Sequence, residues 1–115
     1  MSAAFILEAN NNLDELLLQC QTPVLLDFWA EWCQPCLRLA PVIEDLGAFV
    51  KKEGKALQII KLDIDKNQDA VKGYGIQSIP TLIVMNKQQK IVETLRGFTR
   101  LKDLIDRLSE VLAPW

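Results

Sequence analysis

Hydrophobic and polar residues follow one another along this chain in patterns that predict strands interleaved with helices. Residues 24–29 are apolar on both alternating faces apart from Asp27, as expected for a central parallel strand that is covered by helices on each side. Over residues 36–54, apolar side chains recur at intervals of three and four, which is typical of a helix with one buried face. Cys33 and Cys36 therefore fall where a central strand gives way to a long helix.

The remaining apolar segments complete an alternating order of elements. Four more strands are predicted over residues 5–8, 57–65, 81–85 and 90–95. Three more helices are predicted: one through about residue 20 that Asn10 to Asn12 cap, one over residues 67–74, and one over residues 101–112 that Thr99 caps. The order βαβαβ followed by αββα predicts an α/β layered domain, with its reactive loop outside the carboxyl end of a central strand.

Composition and charge narrow the class of protein. With 115 residues, 50% of them hydrophobic and 24% charged, the chain is long enough for one core, and we expect a single domain over residues 1–115. The formal net charge of -2 gives no basic surface for nucleic acid or an anionic membrane. The N-terminal residues lack the basic start and apolar stretch of a signal peptide, and no stretch approaches the ~20 apolar residues of a membrane span. We therefore expect a cytoplasmic protein.

The two neighbouring cysteines predict a redox site. Separated by two residues, Cys33 and Cys36 can form a disulfide or stand as a dithiol, which is a reversible two-electron couple. Pro35 fits the first turn of the helix, so Cys33 falls near the N-cap. A thiolate there faces unpaired backbone N–H groups and the positive end of the helix dipole, and its pKa should fall. We predict that Cys33 is the nucleophile and that Cys36, one turn inside the helix, is the resolving thiol.

Asp27 and Lys61 are charged residues in segments that otherwise predict buried strands. A buried Asp27 would have a raised pKa and would be able to exchange protons, whereas an Asp27 at a frayed strand end would be solvated. The residues alone leave these two interpretations equal. Lys61 shares its strand face with Leu57 and Ile59, but lysine is rarely fully buried, so the residues alone favour a side chain that reaches solvent.

The residues around the cysteines resemble those of the thioredoxin family. The matching residues are Trp29, Ala30, Glu31, Trp32, Cys33, Pro35 and Cys36 after the Asp27-bearing strand, then Ile79, Pro80 and Thr81, and finally Gly97. The resemblance covers nearly the whole chain, from about Phe5 to Leu112, and its motifs are specific in combination. It implies the thioredoxin fold, in which a central mixed five-stranded sheet is flanked by four helices.

This resemblance implies thiol–disulfide exchange with client proteins. Cys33 would attack a client disulfide, Cys36 would resolve the mixed disulfide, Asp27 would relay a proton to the inner thiol, and Lys61 would lie near that acid. No bound cofactor or metal is required. Electrons would return from a flavin-dependent, NADPH-linked thioredoxin reductase, and we expect a monomer that binds neither nucleic acid nor membranes.

The resemblance also implies a client-binding surface beside the cysteines. It implies a cis peptide bond before Pro80, whereas the frequencies of X–Pro bonds alone predict trans. The backbone of Ile79 would pair with an extended client peptide, as in strand addition. Trp32, Ile79 and the backbone near Gly97 would form the apolar surface that clients touch, while Trp29 is interpreted as core packing.

Several residues depart from the family pattern. Gln34 stands where glycine is usual; it restricts the backbone and adds an amide beside the thiols. The resemblance therefore does not fix the reduction potential of the pair. A more oxidising, isomerase-like member is therefore an alternative. Three more positions differ from the family: Leu37 stands where a basic residue is common, Ser78 where glycine is frequent, and Arg96 where an apolar residue is usual. We therefore expect a preference for clients that differs from that of other members.

Other functional classes fit the chain less well. A redox-independent binding module or holdase on the same apolar surface is the main rival. A zinc site is disfavoured because the chain has three cysteines, one Cys-x-x-Cys and no histidine, and the lack of histidine excludes a Ser-His or Cys-His hydrolase. We interpret Cys20 as a small buried hydrophobic residue and assign it no catalytic role.

Overall fold

The computed structural model describes residues 6–115, so Phe5, predicted to begin the first strand, lies outside the described residues. The strands are β1 (Ile6–Glu8), β2 (Val24–Trp29), β3 (Gln58–Asp63), β4 (Thr81–Met85) and β5 (Ile91–Arg96). The helices are α1 (Leu13–Leu18), α2 (Gln34–Glu53), α3 (Gln68–Gly73) and α4 (Leu101–Val111). No helix within this described part is long and apolar enough to cross a membrane.

The five strands form one mixed sheet with β2 at its centre. The strand order is β1-β3-β2-β4-β5; β1 and β2 run parallel to β3, whereas β4 runs antiparallel to both β2 and β5. This arrangement confirms the predicted α/β class and the five-stranded sheet with four helices. The loop that carries the cysteines follows the carboxyl end of the central strand, as predicted.

Two hydrophobic layers explain why β2 is apolar on both faces. Leu25 packs on the side covered by α2 and α4, whereas Leu26 and Phe28 pack on the side of α1 and α3. All three side chains are fully buried. Burying a side chain of this size contributes roughly 1.5–3 kcal/mol, so the central strand is held firmly from both sides. This fixes the position of the residues that follow it.

The predicted helix caps are partly wrong. Asn12 is the N-cap of α1, but its side chain makes no capping bond; its Oδ1 instead accepts the N–H of Asn10 at 2.7 Å. The helix ends at Leu18, short of the predicted Cys20. The N-cap of α4 is Arg100 and not Thr99.

The predicted strand over residues 57–65 also extended too far. It ends at Asp63, because the chain turns there: Oδ1 of Asp63 accepts the N–H of Asp65 at 2.9 Å, and its carbonyl oxygen accepts the N–H of Lys66 at 2.9 Å. This turn lies at the same edge of the sheet as the cysteine loop, because β2 and β3 run parallel.

Candidate active site

Cys33 is the N-cap of α2, as the sequence predicted. Its backbone is extended, with φ −99° and ψ 107°, and its Sγ accepts the backbone N–H of Cys36 at 3.2 Å. The carbonyl oxygen of Cys33 accepts the N–H of Leu37 at 3.1 Å, which starts the helical hydrogen bonding, and Pro35 lies in the first turn. The sulfur of Cys33 therefore occupies the position that a capping oxygen takes in other helices, where unpaired N–H groups favour negative charge.

Cys33 and Cys36 are joined as a disulfide whose Cα atoms are 5.2 Å apart, within the ordinary range for such bonds. The side chains are 7% and 3% exposed, so Cys33 is the more accessible of the two. Ala30 packs against them, and the half-buried Trp29, Ile64 and Ile79 surround this small cluster. The pair is therefore nearly buried within an apolar wall, with Cys33 nearer the surface.

The loop before β4 lies against the reactive pair. Sγ of Cys33 is 3.8 Å from the carbonyl oxygen of Ile79, and the peptide bond between Ile79 and Pro80 is cis, as the resemblance implied. The carbonyl oxygen of Pro80 accepts the N–H of Gly97 at 2.9 Å. Gly97 has a φ of +89°, a left-handed conformation that side chains rarely adopt. These contacts bring Ile79, Pro80 and Gly97 together beside Cys33.

Asp27 is buried, which resolves the two interpretations left open by its sequence. It is 3% exposed in the central strand, with Lys61 opposite on β3 and Leu82 opposite on β4. Burial raises the pKa of the carboxyl from 3.8 to about 6, and the attraction of Lys61 opposes that rise. Among the described residues, Oδ1 of Asp27 has no hydrogen-bond partner. The carboxyl can therefore change its protonation state near neutral pH.

Lys61 lies on the same side of the sheet as Asp27. Lys61 shares its strand face with Ile59, which belongs to the core between the sheet and α2, so its stem follows the inner face. The side chain is half-buried, and its Nζ lies 4.7 Å from the centre of the Trp29 ring, a cation–π distance. Lys61 therefore lies beside the ring of Trp29, and its charge opposes the rise in the pKa of Asp27.

Trp32 is the exposed aromatic residue of the site. It is 64% exposed, and its indole Nε1 donates a hydrogen bond to Oδ2 of Asp65 at 3.0 Å. Sequence reasoning missed Asp65 as a partner of Trp32. The available signal was that Asp65 follows a strand predicted to lie in the same sheet, so that its carboxylate reaches the same edge.

Cys20 lies apart from the reactive pair. It is half-buried, follows α1 and packs with the core on that side of the sheet, and burial raises the pKa of its thiol. Within residues 6–115, no group of three or more Cys, Asp or Glu side chains is arranged to hold a metal ion.

Comparisons with known proteins agree with this geometry. The family model described as Thioredoxin matches residues 4–110. The chain is 45% identical over 87 residues to "Thioredoxin" of Bacillus subtilis (strain 168), covering 73% of this chain and 80% of that protein. It is 37% identical over 110 residues to "Thioredoxin 2" of Chlorobaculum tepidum, covering 96% of this chain and 97% of that protein. With its Cys33–Cys36 pair, the chain belongs to the thioredoxin family and is a thiol–disulfide oxidoreductase.

Proposed function

We propose that this oxidoreductase reduces disulfides of client proteins, with Cys33 as the nucleophile and Cys36 as the resolving thiol. The observation that carries the proposal is the hydrogen bond from the N–H of Cys36 to Sγ of Cys33 at the start of a helix of 20 residues. The same donor and the helix dipole stabilise a thiolate on Cys33 in the reduced protein. Cys36 lies deeper and is shielded from clients, which suits a thiol that acts second.

The reaction transfers two electrons to the client in two exchanges. The Cys33 thiolate attacks one sulfur of the client disulfide; the client S–S bond breaks, and the leaving client sulfur takes up a proton. Cys36 then loses its proton and attacks Sγ of Cys33. The bond between Cys33 and the client breaks, the second client sulfur is protonated, and the Cys33–Cys36 disulfide remains.

Asp27 is the group that we propose accepts the proton of Cys36. Its pKa of about 6, raised by burial, allows it to be ionised at neutral pH and to be protonated without a large cost. It lies on the face of the sheet that α2 covers, and α2 carries Cys36 in its first turn. Three residues act indirectly in this scheme, because they hold the acid and the start of the helix in place: Lys61, Pro35 and Trp29.

Clients are proposed to bind along Trp32, Ile79, Pro80 and Gly97. The support is that Ile79 touches Cys33, that Pro80 bonds Gly97, and that the ring of Trp32 is mostly exposed. An extended segment placed there would bring its disulfide to Cys33 and pair with the backbone of Ile79.

A thioredoxin-type oxidoreductase has two kinds of partner, disulfide-bearing clients and a reductase that returns electrons. We further propose that this reductase is the NADPH-linked flavin enzyme, and that the protein works in the cytoplasm as a monomer and as one domain over residues 1–115. A reducing compartment suits transfer of electrons from this protein to its clients, because clients that have been reduced stay reduced there.

The test is reduction of a disulfide-bonded protein coupled to NADPH oxidation by a thioredoxin reductase. We expect turnover by the parent protein and none by Cys33→Ser. Cys36→Ser should accumulate a covalent complex with the client through Cys33. Asp27→Asn should slow resolution about 10²-fold at pH 7, and by less as the pH rises and Cys36 ionises unaided.

Four results would overturn parts of this scheme. No turnover by the parent protein with any disulfide client would remove the reductase function, and activity that survives Cys33→Ser with Cys36→Ser would favour a redox-independent binding module. Client trapped on Cys36 in the Cys33→Ser variant would reverse the roles of the two thiols. Resolution by Asp27→Asn at the parent rate across pH 6–9 would remove Asp27 from the mechanism.

A further inference from the structure

Arg96 is a cation without an acidic partner in a segment where other cations are paired. Arg100 bonds Asp103, Lys102 bonds Asp106, and Arg107 contacts both Glu93 and Glu110. Residues 91–111 are described throughout, and across the described chain no carboxylate forms an ion pair with Arg96, which is exposed at the end of β5. Its guanidinium is therefore available to an external anion.

Arg96 lies next to the contacts that surround the reactive sulfur. It stands opposite Thr81 in the antiparallel pairing of β4 with β5. The next residue, Gly97, donates its N–H to the carbonyl oxygen of Pro80 at 2.9 Å. The residue before Pro80 is Ile79, whose carbonyl oxygen is 3.8 Å from Sγ of Cys33. A short continuous path of backbone thus leads from the reactive sulfur to Arg96.

Arg96 is one of the residues that line an open cavity of about 100 Å³. Its lining includes Thr81 and Gln77 as polar groups and Ile76 and Ile83 as apolar ones. Ligand and cofactor sites are several times larger, with roughly 300–1,000 Å³, so this cavity has room for one side chain and not for a nucleotide or a flavin. A cationic residue in the lining of a partly apolar cavity of that size suits a side chain that has a methylene stem and a carboxylate end.

We propose that Arg96 and this cavity form a subsite for an acidic side chain of the client, and that the protein prefers disulfides with Asp or Glu nearby. An extended peptide advances about 3.3 Å per residue, so acidic residues placed two to four positions from the attacked cysteine sample a span of about 7–13 Å. This preference rests on the proposed function, because it acts on clients that are bound beside Cys33. Arg96 would be a specificity-determining residue that takes no part in the exchange itself.

The test compares peptide disulfides that differ by one side chain. Each peptide carries Glu, or Gln in its place, at two, three or four positions on either side of its cysteine. The reduced protein is mixed with each peptide, and the second-order rate constant for release of peptide thiol is measured. We expect at least one Glu peptide to react about two- to fivefold faster than its Gln counterpart at low salt, as an exposed ion pair allows. The advantage should vanish near 0.5 M salt.

Variants assign this preference to Arg96. Arg96→Gln should remove the advantage of the Glu peptide, and Arg96→Lys should retain part of it. Lys87→Gln makes the same change of charge in the exposed turn at the far end of β4 and should leave the preference intact. The rate of each Arg96 variant with the Gln peptides is the reference for its rate with the Glu peptides, and Lys87→Gln should react with the Gln peptides at the parent rate.

Two outcomes would overturn the subsite. Equal rate constants for all Glu and Gln pairs with the parent protein would exclude it, and so would an undiminished preference in Arg96→Gln. Failure of the reduced protein to react with any of the peptides would instead contradict the proposed function.

Discussion

At the scale of single residues, Asp27 links the chemistry of the site to the stability of the protein. Its pKa is raised from 3.8 to about 6 by burial, against the opposing attraction of Lys61. Between these two pH values the folded carboxyl keeps its proton while the unfolded one has lost it, so unfolding releases a proton. The stabilising contribution of this carboxyl is therefore complete below pH 3.8 and is lost as the pH rises through about 6.

Asp27→Asn should remove this dependence on pH. A difference of about two pKa units corresponds to roughly 3 kcal/mol. The free energy of unfolding of the variant should be close to that of the parent near pH 4 and larger by about 2–3 kcal/mol near pH 8. Denaturant unfolding of both oxidised proteins across this range measures the difference.

Two further variants control this result. Asp45→Asn removes an exposed acid from α2 and should leave the shape of the profile unchanged. Lys61→Gln removes the attraction that lowers the pKa of Asp27, so the loss of stability should move to higher pH. Parallel profiles for the parent and Asp27→Asn would mean that the carboxyl has an ordinary pKa in the folded protein.

Residue positions were predictable from the sequence where the signal was local. The spacing of Cys33 and Cys36 and the turn signal of Pro35 were sufficient to place one sulfur at the N-cap and the other one turn deeper. Burial of Asp27 depended on strands that pair with β2 on both sides, which its own segment does not encode. The hydrogen bond from Trp32 to Asp65 joins residues 33 positions apart and was missed for the same reason.

At the scale of elements, helix ends were predictable where a residue with a special backbone preference, such as proline or glycine, marks them. Helix α2 begins after Cys33 and ends at Glu53, and its C-cap Gly54 adopts the left-handed conformation with φ +63°. The first and last helices begin without side-chain capping bonds. The residues that were predicted to cap them therefore do not do so through their side chains. Capping preferences describe what a side chain is able to do, and tertiary contacts decide whether it does so.

The end of α2 gives a prediction that isolates backbone conformation. Gly54→Ala should lower the free energy of unfolding by about 1–2 kcal/mol, because alanine must adopt a left-handed conformation there. Gly73→Ala is the matched control: its backbone is not left-handed, and a Cβ at either position would meet no atom within 4 Å. That control should be neutral or slightly stabilising. Equal effects of the two changes, measured by denaturant unfolding, would show that the φ of Gly54 contributes nothing.

At the scale of the whole molecule, the α/β class followed from the sequence but the order of strands did not. Periodicity predicts which segments are strands and which faces they bury. Pairing β1 and β2 with β3, and β4 between β2 and β5, depends on contacts between distant segments. The mixed five-stranded sheet came from the resemblance to thioredoxins, whose motifs carry information about pairing that local patterns lack.

The whole molecule must remain folded in both redox states if it is to shuttle electrons. The disulfide closes a loop with a sequence separation of only 3, and chain entropy for a loop of about four residues predicts roughly 2 kcal/mol of stabilisation. Two hydrophobic layers on the central sheet supply the rest of the stability and do not include Cys33 or Cys36. Reduction should therefore lower the free energy of unfolding by about 2 kcal/mol while the fold persists.

Denaturant unfolding with and without reductant measures this loss. The double variant Cys33→Ser with Cys36→Ser provides the control: its stability should not respond to reductant, since the free Cys20 has no disulfide partner among the described residues. If reduction unfolded the parent protein without denaturant, the disulfide would be a structural bond. A structural bond of that kind is incompatible with repeated exchange, because each catalytic cycle would then pass through an unfolded chain.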